Sequence, residues 1–320
     1  MTVSQRPDSR LSSRIIVVLG LFVLFSFLEN SFATKNNIYA VLEGFAFTGL
    51  VALAIGITII AGEMDLSVGS MAALAGAIAV TLADQGLVTA VLIAALITSA
   101  LGALQGIAIG LLRIPSIVFT VGTMIGLRGL VFIVSGEQTV VVPDLNTVAI
   151  IKRQILFCFS LFSLITVSVF ILVGLFMKYS RPGRNIYAIG GGRREAAAAG
   201  VPIFFTTILI FTLSGLLAGL AGSLTCLKSG SAIPHGLDGL LLLAAASALI
   251  GGTTLSGGQG TVLGIALGVI TIRFVSSYMN FKAMPYYAEN LAIGALLITV
   301  IAVELLVATP RGRLARNHSA

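Results

Sequence analysis

Apolar residues run along this chain in long stretches that are separated by short polar turns. A helix needs about 20 apolar residues to cross the hydrocarbon core of a bilayer, and most of the stretches approach or exceed that length. The pattern therefore predicts an all-α integral membrane protein with about ten transmembrane helices, some of them short or broken. The predicted spans are 15–28, 38–61, 67–83, 86–112, 115–135, 155–177, 202–228, 239–250, 258–280 and 286–308.

Two of the predicted spans, 15–28 and 239–250, are short, and the region 38–83 has a break at its centre. Such segments fit broken or re-entrant helices. Glycines spaced four residues apart within the spans predict close helix packing, because small residues let helix backbones approach each other. These glycines are Gly102, Gly106, Gly110, Gly122, Gly126, Gly215, Gly219, Gly264 and Gly268.

The composition also indicates a membrane protein. Hydrophobic residues make up 57% of the chain, charged residues only 10%, and the mean hydropathy is +1.08. A soluble domain carries about a quarter charged residues, so the bilayer must be the solvent for most of this chain. The two histidines, His235 and His318, are too few for a histidine-based metal site, and we expect no metal and no cofactor.

The net charge of +7 would suit nucleic acid, but the distribution of the basic residues indicates membrane topology instead, and we expect no nucleic-acid partner. With the N-terminus inside, most of the 19 Lys and Arg residues fall in cytoplasmic segments. This asymmetry predicts that both termini are cytoplasmic: a tail 1–14, one permease domain 15–308 with an inner loop 178–201, and a tail 309–320. The basic start and first apolar run also resemble a cleavable signal peptide, an alternative that the charge distribution disfavours.

The inner loop contains the most informative polar segment, 181–201, which carries four arginines and one acid, Glu195. The alanines after Glu195 favour a short helix that ends at Gly200, while the glycines 190–192 are expected to interrupt any preceding helix. One interpretation is an ordinary positive-inside loop. The functional interpretation is a docking helix, in which Glu195 and the arginines make polar contacts with a soluble cytoplasmic partner.

Two glycine-rich turns, 62–70 and 251–260, share the pattern Leu-Ser-x-Gly, which hints at a duplicated half. Asp65 and Ser67 are positioned to cap the following span. The second turn contains LSGGQ, the signature pentapeptide of ATP-binding-cassette (ABC) ATPases, but no lysine follows a glycine, so the phosphate-binding loop is missing. We therefore predict a transport subunit without its own ATPase site. The candidate residues of the two turns are Asp65, Ser67, Gly69, Gly251, Gly252, Ser256, Gly257 and Gly258.

Charged residues within predicted spans are candidates for a transport pathway. A charge at the centre of a membrane helix costs about 2.5–3.5 kcal/mol on insertion scales, so such residues should face a cavity, a partner charge or the interface. Arg273 and the polar residues that follow it make the outer part of their span hydrophilic. This pattern predicts either an interfacial belt or a polar vestibule for a hydroxylated solute. The candidates are Glu43, Arg128, Arg273 and Asn280.

Four segments resemble the bacterial ribose-type permeases of ABC sugar importers, in the same order along residues 30–308. The resemblance implies a multi-pass permease of the bacterial inner membrane that carries a sugar or related polyol. It also implies a second permease copy or paralogue, cytoplasmic ATP-binding subunits and a periplasmic solute-binding protein. The segments are GEMDLSVGS (62–70), IPSIVFTVGTMIGLRGL (114–130), GRNIYAIGGGRREAAAAGV (183–201) and IGGTTLSGGQGTVLGIALG (250–268).

By position, the resemblance assigns ATPase coupling to residues 183–200. The chain departs from the family pattern at three places, where Gly192 replaces an asparagine, Glu63 replaces a glycine, and 241–243 are leucines in place of Glu-Leu-Asp. If the lost acids shape the pathway, the choice of substrate differs here. The assigned coupling residues are Gly183, Arg184, Asn185, Arg193, Arg194, Glu195, Ala196, Ala197 and Gly200.

Three other classes compete with this assignment. Branched-chain amino-acid permeases share the general architecture, although the quoted motifs fit the sugar branch better. An ion-coupled secondary transporter often places acids within broken helices, and Glu43, Glu63 and Asp65 are its candidates. A membrane enzyme would need clustered His, Asp or Cys residues, which the sequence does not offer.

Overall fold

The computed structural model describes residues 7–237, 239–285, 287–300 and 302. Its helices are α1 Pro7–Leu28, α2 Lys35–Ile60, α3 Val68–Thr81, α4 Leu87–Leu112, α5 Ser116–Ser135, α6 Leu145–Lys152, α7 Leu161–Tyr179, α8 Arg181–Gly191, α9 Arg193–Ala198, α10 Ile203–Ser229, α11 Leu240–Ile250, α12 Val262–Phe281 and α13 Tyr287–Val300. A 3-10 helix covers Ala83–Gln85. Short strands β1 (Val140–Val141) and β4 (Ser231–Ala232) pair antiparallel, as do β2 (Gln154–Leu156) and β3 (Phe159–Ser160).

The predicted spans correspond to α1–α5, α7 and α10–α13, and the tenth extends beyond the described residues. Seven of these helices are long and apolar enough to cross a membrane, whereas α3, α11 and α13 are shorter. At 1.5 Å per residue, the 14 residues of α3 extend about 21 Å, less than the roughly 30 Å of hydrocarbon. The prediction of short or broken helices is therefore confirmed. It is wrong for the first span, because α1 begins at Pro7, inside the predicted tail 1–14, and has 22 residues.

Two long helices, α2 and α10, form the centre of the bundle. The apolar window of α2 is 78% buried, and α10 packs against α2, α3 and α4. Glycines allow the closest of these approaches: a Cβ at Gly106 would lie 2.6 Å from the Cα of Ile208, closer than the roughly 3.5 Å at which carbon atoms make contact. The predicted packing role is confirmed for Gly102, Gly106, Gly110, Gly215, Gly219, Gly264 and Gly268. It is wrong within this chain for Gly122 and Gly126 of α5, which have no atom within 4 Å of a built Cβ.

At the edge of the bundle, α1 buries none of its apolar window. Aromatic contacts attach it to α12: Phe25 stacks on Tyr278 with ring centroids 4.5 Å apart, and Phe22 lies 5.7 Å from Phe274. Since the rest of the helix surface from Ile15 onward is largely apolar and exposed, lipid is the solvent that suits this part of α1.

Candidate functional site

The arginine-rich segment folds into α8 and α9, which meet at Gly192. Before α8, the hydroxyl of Ser180 accepts a hydrogen bond from the amide of Gly183 at 2.9 Å. Gly183 also packs on α7, because a Cβ there would lie 2.7 Å from the Cα of Met177. The two glycines before Gly192 lie inside α8. The prediction that the glycines 190–192 interrupt a preceding helix is confirmed, although the break is short: α8 ends at Gly191, and the single residue Gly192 separates it from α9.

The second helix, α9, ends at the predicted glycine. Gly200 has a φ of +82°, and the amide of Val201 donates to the carbonyl of Ala196 at 3.0 Å, a bond that defines a Schellman motif. The side chain of Ala196 is buried, and it anchors α9 to the bundle. Most of the other predicted coupling residues are exposed and form a charged surface. The exposed ones are Arg184, Arg193, Arg194, Glu195, Ala197 and Gly200, while Asn185 is half-buried.

Three backbone segments meet at the end of α8: the C-terminus of α2, the last turn of α8 and the second glycine turn. The amide of Gly258 donates to the carbonyl of Ile60 at 2.8 Å. A Cβ at Gly258 would lie 2.8 Å from the Cα of Gly191, and one at Gly257 would lie 2.7 Å from the Cα of Gly62. The contact thus leaves no room for a side chain at Gly190, Gly257 or Gly258. We call it the glycine junction: Ile60, Gly62, Gly190, Gly257 and Gly258.

The LSGGQ pentapeptide is part of this packing turn. Its two glycines have φ angles of +80° and +71°, a conformation that glycine adopts without strain. Ser256 is exposed on the outer side of the turn. Tyr187 of α8 donates its hydroxyl to the carbonyl of Gly260 at 3.1 Å, and burial raises the pKa of Tyr187, so the phenol stays a neutral donor. Backbone geometry therefore accounts for the glycines of the pentapeptide.

An ion pair joins the first glycine turn to α9. The guanidinium of Arg193 lies 2.5 Å from the carboxylate of Glu63. The side chain of Glu63 is 9% exposed and that of Arg193 is 48% exposed, so water and salt screen the pair from one side. The pair thus links the first glycine turn directly to α9.

Asp65, two residues later, points the opposite way, into the bundle. Its carboxylate accepts hydrogen bonds from the hydroxyl of Ser67 at 2.6 Å and from the hydroxyl of Ser214 in α10 at 2.7 Å. Gln105 of α4 donates to the Ser67 hydroxyl at 2.9 Å. Ser67 occupies the N-cap position of α3 but makes no capping bond, so the capping prediction is wrong for it. The turn is instead fixed to α4 and α10 by a buried polar network.

The remaining candidate glycines of the turns are packing positions. A Cβ at Gly251 would lie 2.8 Å from the Cα of Ile265 in α12, and one at Gly69 would lie 3.5 Å from the Cβ of Leu241 in α11. At Gly252, which has a φ of +84°, the space beside the backbone is occupied by the guanidinium of Arg14. The second turn therefore contacts the start of α1.

Further contacts show which turns share one end of the bundle. The amide of Met64 donates to the hydroxyl of Ser116, at the start of α5, at 3.0 Å. Together with the glycine junction and the Arg14 contact, this bond brings the start of α1, both glycine turns, the α4–α5 turn and α8–α9 to the same end. These are the segments that carry most of the predicted cytoplasmic charge.

The four predicted pathway residues separate into three locations. Arg273 and Asn280 line one cavity of about 310 Å³ between α2 and α12. Glu43 lies elsewhere, buried in an ion pair with Lys228 of α10, and it accepts a hydrogen bond from Ser160. Arg128 is half-buried on α5 and does not line that cavity. The structure thus brings together two of the four.

Three polar residues with clear roles were not predicted: Asn37 in the cavity, Lys228 beside Glu43, and Gln105 in the Asp65 network. Gln105 interrupts a long apolar run, a signal that could have found it. The other two lie at helix ends, where polar residues are common, and only tertiary contacts distinguish them.

Comparison with known proteins identifies the family. Residues 37–301 match the family described as Branched-chain amino acid transport system / permease component. The inner membrane ABC transporter permease protein YjfF of Escherichia coli is 33% identical over 305 residues, 91% of each chain. The D-allose transport system permease protein AlsC of Escherichia coli is 28% identical over 297 residues, 91% of this chain and 90% of the relative.

A third Escherichia coli relative, the ribose import permease protein RbsC, is 27% identical over 300 residues, which cover 91% of this chain and 92% of the relative. No solved structure matches the chain. The matched region contains all but the first two residues of α2, every described helix after it, both glycine turns and the α8–α9 segment. The chain therefore belongs to this permease family, as a multi-pass membrane subunit of the sugar-type ABC importers.

Proposed function

We propose that this subunit translocates a sugar or related polyol, which a periplasmic solute-binding protein delivers and separate cytoplasmic ATP-binding subunits drive inward. The relatives named for allose and ribose support a sugar over a branched-chain amino acid, although the family description carries the latter name. A second copy of the chain, or a paralogue, completes the pore. The complex works in the bacterial inner membrane.

The glycine junction is the observation that carries this proposal. It joins α8 to the C-terminus of α2 and to the turn before α12 through backbone atoms. Since no flexible side chain lies between these segments, a displacement of α8 must move both of them. We assign α8–α9 as the element that receives the motion of the ATP-binding subunits when nucleotide brings them together.

The energetics follow from the difference between two states of the permease. Nucleotide and solute shift the balance between outward-facing and inward-facing states only by their differential affinities for the two. The exposed residues of α9, among them Arg194 and Glu195, supply the polar docking surface. The ion pair of Glu63 with Arg193 keeps α9 aligned with the first turn.

We place the end of the bundle that carries α8–α9 in the cytoplasm, with the N-terminal tail on the same side. The shared location of the arginine-rich segment and the start of α1 supports this orientation, because basic residues favour the inner face. The C-terminal tail, 309–320, lies outside the described residues, and its cytoplasmic placement rests on the charge distribution.

The ion pair of Glu43 supports ATP-driven transport over ion coupling. An ion-coupled carrier needs a membrane acid that is free to exchange its ion during the cycle. Glu43, the main candidate, is committed to Lys228 and Ser160.

The test is reconstitution of the permease with its ATP-binding subunit and binding protein in liposomes. We expect the double variant Glu195→Ala/Gly200→Ala to insert normally but to lose solute-stimulated transport, because it alters the docking surface and strains the left-handed glycine. Asp84→Ala/Gly86→Ala is the matched control, since it changes an exposed acid and an exposed glycine with a φ of +100° outside the α8–α9 segment. Full transport by the Glu195/Gly200 variant would contradict the coupling assignment.

A further inference from the structure

The cavity between α2 and α12 has a polar wall that the transport mechanism above does not explain. The polar residues that α12 contributes to this wall are spaced three, one and three residues apart, so they occupy one face of the helix. Across from them, α2 contributes Asn37 and Gly44. The volume of about 310 Å³ is at the lower end of the range for small-molecule sites. The α12 residues are Arg273, Ser276, Ser277 and Asn280.

Arg273 is held in this wall without a full set of partners. Its side chain crosses α2 at Gly44, where a Cβ would lie 2.7 Å from the Arg273 Cδ. One terminal nitrogen donates to the hydroxyl of Thr48, but the Nε atom is buried and has no hydrogen-bond partner. Among the described residues, no carboxylate lies within ion-pair distance of Arg273, and Glu289 on α13 acts on it from farther away. The Nε–H of a half-buried guanidinium that lacks an acceptor within the protein is suited to donate to an anionic group in the cavity.

The neighbouring polar groups define what else the cavity can bind. The hydroxyl of Ser276 is also buried without a partner. By contrast, Ser277 donates to the side-chain oxygen of Asn37 at 2.6 Å, and the Asn37 amide donates to the carbonyl of Phe32 at 2.7 Å, so this pair is already satisfied. Asn280 is exposed at the end of α12. The groups left without a protein partner therefore include the buried Nε–H of Arg273, the hydroxyl of Ser276 and the exposed amide of Asn280.

We propose that this cavity binds a hydroxylated solute that carries a carboxylate, such as an aldonic or uronic acid, with the carboxylate on Arg273 and hydroxyls on Ser276 and Asn280. The inference rests on the proposed function, and it specifies the substrate class. An arginine N–H and a carboxylate form a charge-assisted hydrogen bond, which is stronger than any bond that a neutral sugar could offer the same group. A neutral solute would leave the half-buried guanidinium without a counter-charge.

The test measures uptake by the reconstituted complex in liposomes of neutral lipid, with D-gluconate, D-galacturonate, D-galactose and sorbitol as probes. We expect the two acids to be transported, and Arg273→Gln to reduce their uptake at least tenfold, with Arg273→Lys intermediate. Gly44→Ala should also reduce uptake, because it displaces the Arg273 side chain. Lys282→Gln is the matched control: it removes an exposed positive charge near the same end of α12 and should leave uptake unchanged.

The outcomes separate this inference from the proposed function. ATP-dependent uptake of galactose or sorbitol, without uptake of either acid, would overturn the acidic-solute assignment and leave the sugar permease intact. Uptake of none of the probes would reject both. If Arg273 instead determines binding of phosphatidylglycerol when that lipid is added, the cavity is a lipid site and the assignment is rejected.

Discussion

Replacing Gly190 by alanine tests whether the glycine junction transmits motion. The residue lies inside α8 with a helical backbone, so alanine is acceptable there and only the new methyl group matters. A Cβ at this position would overlap the carbonyl oxygen of Ile60 and lie 2.5 Å from the amide nitrogen of Gly258. These two atoms form the hydrogen bond that closes the junction.

Opposing terms determine the size of the effect. Alanine gains about 1 kcal/mol over glycine in a helix. Overpacking costs about 1–3 kcal/mol, and a buried amide that loses its acceptor costs about 1–3 kcal/mol. The net cost to the closed junction is therefore roughly 1–5 kcal/mol, which reduces its population at least about fivefold.

The assay counts solute molecules transported per ATP hydrolysed by the reconstituted complex. We expect Gly190→Ala to lower this ratio at least fivefold while ATP hydrolysis continues. Gly191→Ala is the control in the same helix: its Cβ would meet no atom within 4 Å, so it should transport normally. Equal coupling in the two variants would refute the role of the junction.

Two further predictions concern stability, measured by thermal unfolding of the purified permease. Glu43→Gln should destabilise the protein by an amount at the lower end of the about 3–5 kcal/mol typical of a broken buried ion pair, because the Lys228 side chain is 22% exposed. Adding Lys228→Met should restore most of the lost stability. An unchanged unfolding temperature of the single variant would contradict the ion pair. Gly215→Leu should cost at least about 1–3 kcal/mol of stability by forcing α10 away from α4. Gly122→Leu, whose side chain enters open space on α5, should unfold like the wild type. Equal losses of stability in the two variants would show that helix propensity, and not packing, dominates.

Apolar run length was sufficient to predict the spans, because the bilayer fixes how many residues a helix needs. The glycine positions were harder. A sequence shows that Gly190 is flexible and a poor helix former, which predicts an interruption. In the fold, the absence of a side chain at Gly190 lets α8 contact the backbone of Ile60. The stabilisation from this tertiary contact outweighs the low helix propensity of glycine.

The site residues illustrate the same limit. Arg273 and Asn280 lie seven residues apart on one helix, so periodicity alone places them on one face, and the structure brings them into one cavity. Glu43 could not be assigned, because its partner Lys228 is on a distant helix and no local pattern links them. Likewise, Ser67 has the sequence context of a helix cap, but buried contacts with Asp65 and Gln105 determine its role.

The peripheral position of α1 has a consequence for biogenesis. This helix is synthesised before α2–α13, yet two of its aromatic contacts are with α12, which emerges from the ribosome after about 250 more residues, or roughly 12–50 s at typical elongation rates. From Ile15 to Leu28 the only polar side chain of α1 is Ser26, whose hydroxyl donates to the carbonyl of Phe22, so this part of the helix can remain alone in lipid during that interval without an unsatisfied polar group. Completion of the bundle at this edge is therefore a late step that follows translation of the last third of the chain.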